Sequence, residues 1–111
     1  MVPSRLGEFE QQLLLVILRL GSQAYAADVA SELEQRAGRR VSRGALYTTL
    51  DRLETKGLVR WQAAAGSPAR EGLPRRLYAV TASGLAALRA SRAVLRGLWR
   101  GVEHLLEKLT P

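Results

Sequence analysis

The segment VSRGALYTTLDRLETKGLV, Val41 to Val59, constrains this chain more than any other. Leu46, Leu50 and Leu53 recur at i, i+4 and i+7, which puts them on one stripe of an α-helix. At about 100° of rotation per residue, Gly44, Thr48, Asp51 and Thr55 fall opposite that stripe, flanked by Tyr47 and Arg52. Ser42 is placed to cap the start, and Gly57 stands where a left-handed residue closes a helix. A helix with leucines on one side and small polar groups, a tyrosine and arginines on the other is built to lie against a second surface.

The neighbouring segments give that helix a setting. Leu6, Phe9, Leu13, Val16, Ile17 and Leu20 have helical spacing, widened by Leu14 and Leu18, and Gly21 follows where a helix ends. A second helix is predicted from about Ala26 to Ala37, with Val29, Ala30 and Leu33 inward, Glu32, Glu34 and Arg36 outward, and Gly38 closing it. Arg39 and Arg40 lead by a short connection into the third helix, the arrangement of a helix-turn-helix.

After Gly57 the period becomes that of strands. Leu58 to Ala63 is one. Leu77 to Thr81 is the other, with Leu77, Ala79 and Thr81 on one face and Tyr78 and Val80 on the opposite one. Trp61 on the first strand reads as core. Between the strands, Ala65 to Pro74 is rich in glycine and proline and reads as a loop, with Arg70 in it and Arg75 and Arg76 at its exit. Three helices, a strand, a basic loop and a strand predict a winged helix-turn-helix, a mainly α (α+β) fold with a two-stranded wing.

From Ala82 to Leu109 one long helix is predicted, capped by Thr81. Leu88, Leu95, Val102 and Leu109 repeat every seven residues, as do Leu85, Trp99 and Leu106 apart from a break at Arg92, and Leu98 and Leu105 broaden the seam. Such a stripe exceeds what a small winged helix can cover. Two arrangements bury it: a hairpin with the chain's own first helix, or, more economically, a second copy of the chain. The expected dimer interface comprises Phe9, Leu13, Leu88, Leu95, Leu98, Trp99, Val102, Leu105, Leu106 and Leu109. The chain accordingly divides into a DNA-binding domain, 1–81, and a C-terminal dimerisation helix, 82–111.

Net charge is +7 over 111 residues, and its distribution matters more than its size. Residues 1–35 hold two basic groups against five acids, residues 36–76 ten against three, and residues 77–111 five against two. The middle third thus carries an excess as large as that of the whole chain, in the segment containing the third helix. A general arginine bias inflates basic counts, but clustering of this kind is the footprint expected for a polyanionic partner. With no cysteine, disulfides, thiolate metal sites and thiol nucleophiles are excluded together. The longest apolar run, Leu13 to Leu18, is far too short to span a membrane, so the expected location is the cytoplasm.

Residues 6–90 resemble the PadR family of bacterial transcriptional regulators (phenolic-acid decarboxylase regulators). The most specific pieces are Gly44 to Glu54 (GALYTTLDRLE), Lys56-Gly57-Leu58-Val59, and Tyr78 through Gly84. The resemblance implies a winged-helix homodimer that represses promoters, its third helix reading the major groove, its wing on the DNA backbone and its C-terminal helix as the dimerisation element. The single C-terminal helix is like that of the short members of the family. Glu71-Gly72-Leu73-Pro74 departs from the paired glycines that often precede the basic residues of the wing.

Ser42, Arg43, Thr48, Thr49 and Arg52 are the DNA-facing candidates on the third helix. The first turns of such a helix reach base edges and phosphates, and an arginine pairs bidentately with guanine. Ser42 also has a reading as a cap alone. Gly44, outward in mid-helix, costs about 1 kcal/mol relative to alanine, which close approach to a DNA backbone would justify. Tyr47 has two readings, core alone or a ring packed inward with its hydroxyl on a phosphate. Arg70, Arg75 and Arg76 are expected on phosphates, which position a protein without reading sequence, a solvated loop being the rival reading. Arg39 and Arg40 add contacts from the turn. Arg89, Arg92, Arg96 and Arg100 read as a solvated row. Some members of the resembled family bind flat aromatic drugs between tryptophans of the dimer's C-terminal helices, which makes Trp99 either an interface residue or part of an aromatic effector site.

Three function classes follow. The first is a DNA-binding transcriptional regulator, a homodimeric repressor on a pseudo-palindromic promoter site, released by a small aromatic effector. The second is a winged helix used as a protein-interaction module of the anti-repressor type, without its own operator. An enzyme is the third, and the sequence argues against it: His104 is the only histidine, and there is no paired-carboxylate motif, no glycine-rich phosphate loop and no metal-ligand cluster. No cofactor or metal is expected.

Overall fold

Helix α1 (Glu8–Leu20) starts with Glu8 and Glu10 in its first turn, at the positive end of the helix dipole. The Glu10 carboxylate turns back and accepts the Gly7 amide at 2.9 Å, satisfying one of the donors a helix start leaves open. A 3-10 turn (Gly21–Gln23) leads to α2 (Ala26–Ala37), which buries Ala26, Val29 and Leu33 and ends at Gly38, as expected. Helix α3 (Arg43–Thr55) follows, its first turn capped by Ser42, whose Oγ accepts the Ala45 amide at 3.1 Å. The computed structural model describes residues 5–64 and 75–109.

The end of α3 is fixed by backbone geometry. Gly57 takes a φ of 76°, the left-handed region that side chains disfavour. This lets the Gly57 amide donate to the Glu54 carbonyl at 2.8 Å and the Leu58 amide to the Leu53 carbonyl at 2.9 Å, the paired bonds of a Schellman closure. Chain direction then reverses into strand β1 (Val59–Ala63), which pairs antiparallel with β2 (Arg76–Val80) in the register Val59 to Val80, Trp61 to Tyr78 and Ala63 to Arg76. Both strands begin one residue away from their expected positions, which brings Arg76 into the ladder. The far edge of β2 is covered by Ala24 and Tyr25: the Tyr78 amide donates to the Ala24 carbonyl at 2.9 Å, and Tyr25 bridges Leu77.

Helix α4 (Ala82–Trp99) is capped by Thr81, whose hydroxyl accepts the Gly84 amide at 3.1 Å and donates to the Gly57 carbonyl at 2.6 Å. The core unites Leu13, Leu14, Val16 and Ile17 of α1 with Val29 and Leu33 of α2, Leu46, Leu50 and Leu53 of α3, Leu58 and Val59, Tyr78 of β2, and Ala87 of α4. Trp61 is half-buried rather than central, packed against that core from β1.

Three expectations are corrected. The single helix from Ala82 to Leu109 is two. It stops at Trp99, Arg100 leaves the helical region with a ψ of 122°, Gly101 takes a φ of 80°, and α5 (Glu103–Leu109) starts afresh. Heptad spacing runs through this break because periodicity does not register one left-handed glycine. Second, Leu13 is 0% exposed in the chain's own core and is not available to a partner. Leu15 and Leu18 are instead the apolar side chains that α1 leaves outside, and Phe9 is half-buried with Arg39 stacked 5.0 Å from its ring. The wide stripe of α1 rotates further inward than its leucine count suggested. Third, Thr49 is 7% exposed, its hydroxyl spent on the Ala45 carbonyl at 3.0 Å.

Gly84 is the tightest point of this packing, since a methyl group there would run into the Leu58 carbonyl and the Val80 side chain. Gly84→Ala is therefore expected to cost about 1–3 kcal/mol by overpacking. For a domain this size that lowers the thermal midpoint by several degrees, on the order of 4–8 °C per kcal/mol. A circular-dichroism melt that leaves the midpoint unchanged would show the junction to be loose.

Candidate nucleic-acid interface

The exposed face of α3 follows from the capping and the leucine stripe. With Leu46, Leu50 and Leu53 fixed inward, Ser42, Arg43, Gly44, Thr48, Asp51 and Arg52 are left facing out. Their edges are not equivalent. Ser42 Oγ is engaged as a cap, so only its remaining lone pair and proton face out. Nothing lies within 4 Å of a methyl group built on Gly44, so the fold itself places no steric demand for glycine there. Thr55, opposite the leucines, turns its hydroxyl onto the Asp51 carbonyl at 3.0 Å.

Arginines border this face. Arg40 meets Glu34 at 3.2 Å in a pair whose arginine is 87% exposed, a loose contact worth little and easily exchanged. Arg39 lies over Phe9 and is half-buried. Arg43 projects from the first turn of α3, 5.9 Å from the Tyr47 ring. Tyr47 itself is half-buried, packed on the core, with Arg76 also near its ring at 5.5 Å. Arg75 rests on the Tyr25 ring at 4.1 Å, on the edge of the sheet. Arg70 lies outside the described residues.

Arg76 is placed differently from its expectation as a phosphate contact. Its guanidinium sits 4.2 Å from the Trp61 ring, and Nη1 donates to Asp51 Oδ1 at 3.2 Å and to Tyr78 Oη at 3.5 Å. Burial pushes the Tyr78 phenol above its ordinary value with Arg76 opposing it, and the hydrogen bond with Tyr78 raises Arg76. This cation is drawn into the protein because β2 starts one residue earlier than expected, and strand alternation then puts Arg76 on the same face as Tyr78 and its cross-strand partner Trp61. Sequence reasoning missed Trp61 and Tyr78 as its partners and saw Asp51 only as a polar residue; the alternation Trp61, Tyr78 on one sheet face was the signal that could have found them.

Lys56 is spent internally as well. Its ammonium meets Glu10 Oε2 at 2.8 Å, tying the end of α3 to the start of α1. Arg60, by contrast, is an exposed cation on β1 that the sequence reading did not single out, and it has no acidic partner among the described residues.

A second surface lies away from α3. Leu15 and Leu18 of α1 and Leu85, Leu88, Leu95 and Trp99 of α4 line a groove of about 590 Å³, with Arg89, Arg92 and Arg96 along its side. Beyond Ser91, α4 and α5 carry only exposed residues, Trp99 being 44% exposed and Leu98 69%. Among the described residues no three histidine, cysteine or acidic side chains gather as a metal site, and no helix is long and apolar enough to cross a membrane.

Three helices with a capped polar third helix beside a two-stranded wing define the winged-helix class of transcription regulators. Residues 14–90 match the model of the transcriptional regulator PadR-like family, and the chain belongs to that family. It is a transcriptional regulator and not an enzyme. It is 40% identical over 81 residues to the transcriptional regulator Rv3488 of Mycobacterium tuberculosis, covering 73% of this chain and 71% of that protein. A PadR-like transcription factor from Bacteroides fragilis superposes with a TM-score of 0.65 at 28% identity, covering 85% of this chain and 87% of the other. A PadR family regulator from Eggerthella lenta gives 0.60 at 30% identity, covering 87% and 85%.

The Lys56–Glu10 pair carries a pH dependence. Burial raises the Glu10 carboxyl, but the Lys56 ammonium and the Gly7 amide outweigh it and hold the group below its ordinary value. A folded value below the unfolded one means stability that is complete above the ordinary glutamate range and lost as pH falls through the folded value. Glu10→Gln is expected to cost about 1 kcal/mol at neutral pH. In denaturant melts, the gap from wild type should close as pH drops below about 4.3. A gap that persists unchanged into acid would mean the ion pair is not what the substitution removes.

Proposed function

We propose that this chain is a homodimeric, sequence-specific DNA-binding repressor that occupies a pseudo-palindromic promoter site. The observation that carries this reading is the open polar face of α3, whose glycine at 44 has no steric reason inside the fold. On this reading Arg43, Thr48 and Arg52 face base edges and phosphates in the major groove, while Ser42, Gly44 and the Tyr47 hydroxyl allow close approach to the backbone. Arg39, Arg40 and Arg75 supply further phosphate contacts from the turn and the wing, and Arg70 belongs with them by its place in the sequence. Working in the cytoplasm, the protein acts by excluding other proteins from the promoter.

Dimerisation is supported by where apolar surface remains. Among the described residues, the large apolar side chains left exposed lie on α1, α4 and the segment from Val102 to Leu109. A second copy buries Leu15 and Leu18 together with Leu88, Leu95, Leu98, Trp99, Val102, Leu105, Leu106 and Leu109, and presents two α3 helices to half-sites about one helical turn apart. In this arrangement 1–81 binds DNA and 82–111 joins the copies. The groove ending at Trp99 has the volume and apolar lining of a small-molecule site, and a planar aromatic compound seated there shifts the dimer to a spacing that no longer fits.

Footprinting on the DNA upstream of the chain's own gene, with and without planar aromatic compounds, tests the reading. A palindromic site should be protected, with affinity falling log-linearly with salt. Protection of nothing at low salt would leave a protein-interaction module as the better account. Gly44→Ala makes a sharper check. It should stabilise the free protein slightly, by less than the roughly 0.5–1 kcal/mol of a mid-helix glycine, because Gly44 lies in the first turn of α3 with open space beside it, while weakening operator binding. Equal binding by the alanine variant would remove Gly44 from the interface.

A further inference from the structure

We propose that Arg76 is a positioning residue, the clamp that fixes the wing against the recognition helix and masks the Asp51 carboxylate from DNA, rather than a group that touches DNA itself. The inference rests on the reading of α3 and the wing as the DNA-binding surface, and it concerns how the two are held in register.

One guanidinium reaches three elements. From β2 it contacts Trp61 on β1 at 4.2 Å, the Tyr47 ring on α3 at 5.5 Å and Asp51 Oδ1 on α3 at 3.2 Å, with the Tyr78 hydroxyl beneath it at 3.5 Å. Its position along the chain gives this contact leverage. Arg76 pairs with Ala63 at the outer end of the β1–β2 ladder. A tether there holds the outer end of the β1–β2 ribbon against α3, whereas one near Val59 and Val80 would only repeat what the core already sets.

The chemistry calls for arginine in particular. A planar, delocalised cation can offer its faces to rings while its edge donates hydrogen bonds in the same plane. A lysine ammonium keeps the charge but cannot do both, so charge and clamp separate experimentally. Asp51 supplies the second half of the argument. Its carboxylate sits 58% exposed on the α3 face proposed to meet phosphates, where a bare negative charge repels DNA. Arg76, whose side chain is only 31% exposed, neutralises that charge from the protein side.

The test uses full-length protein labelled with 5-fluorotryptophan, whose two tryptophans give two 19F resonances, assigned with a Trp99→Phe sample used for nothing else. Arg76→Lys should move the Trp61 resonance, leave that of Trp99 in place, and weaken operator binding roughly tenfold with the salt slope unchanged. Asp51→Asn introduced into Arg76→Ala should recover part of the affinity that Arg76→Ala loses. A phosphate contact predicts the reverse: near-normal binding by Arg76→Lys, a salt slope reduced by about one in Arg76→Ala, and no recovery from Asp51→Asn; that result overturns the proposal. A Trp61 resonance unmoved by Arg76→Lys also overturns it. If unmodified protein binds no DNA at low salt, the functional reading itself fails, and the wing-setting role falls with it whatever the 19F spectra show. Thermal melts of each variant separate loss of folding from loss of the clamp, and Arg76→Lys keeps the comparison usable if Arg76→Ala does not fold.

Discussion

Everything this fold does passes through the hydroxyl of Thr81. It donates to the Gly57 carbonyl at 2.6 Å, where α3 has just ended, and accepts the Gly84 amide at 3.1 Å, where α4 is starting. The Thr81 amide adds a bond to the Leu58 carbonyl at 3.0 Å, and Gly84 lets the α4 backbone close onto that same carbonyl without a side chain between. The end of the helix proposed to read DNA and the start of the helix proposed to join two copies are therefore one hydrogen-bonded knot. Because packed junctions of this kind deform little, the directions of α3 and α4 are set together.

The separate parts of that knot were legible in the sequence because each is local, but the bond that joins them, across 24 residues, was not. Caps at Ser42 and Thr81, the stop at Gly57 and the core face of α2 each depend on residues within a turn or two, where backbone chemistry decides the outcome. What escaped depends on distant partners. The rotation of α1 about its axis decides that Leu13 is core while Leu15 and Leu18 are surface, and only the packing of α2, α3 and α4 sets that rotation. Thr49 reads as DNA-facing for its hydroxyl, although its spacing from Leu46 and Leu53 puts it on the leucine stripe, and its bond to the Ala45 carbonyl makes it an acceptable core residue. Arg76 is expected at the exit of the loop because β2 is expected to start at Leu77; with the strand one residue longer at that end, alternation puts its side chain beside Tyr78 and Trp61.

The charge pattern needs the same correction. Ten basic groups in residues 36–76 suggested one cationic surface. Lys56 is held by Glu10, Arg76 by Asp51 and two aromatic rings, and Arg36 by Glu32 at 2.8 Å, so part of that excess braces the fold. Among the described residues of that segment, the cations left facing outward, Arg43 and Arg52 on α3, Arg40 before it, and Arg60 and Arg75 on the wing, are fewer and better placed. Net charge still draws a polyanion from a distance, where individual partners are averaged out. Orientation at close range is set by the smaller group, and a binding surface built from few contacts depends more heavily on the angle between its helix and its wing.

The break at Gly101 bears on the same angle from the other end of the molecule. Leu88, Leu95, Val102 and Leu109 keep heptad spacing across a backbone that does not stay helical, so the sequence is written for a seam that the free chain bends. A straight α4–α5 helix would align all four; the bend turns α5 aside and leaves the first half of the seam, with Trp99 at its end, facing the groove on α1. Helix interiors disfavour glycine by about 1 kcal/mol, which a partner's apolar surface can readily offset. In the proposed dimer, contact along the seam is what would favour the straight form over the bent one. Since α4 is continuous from Trp99 back to the knot at Thr81, the seam and the recognition helix are joined by one helix and one hydrogen-bonded junction.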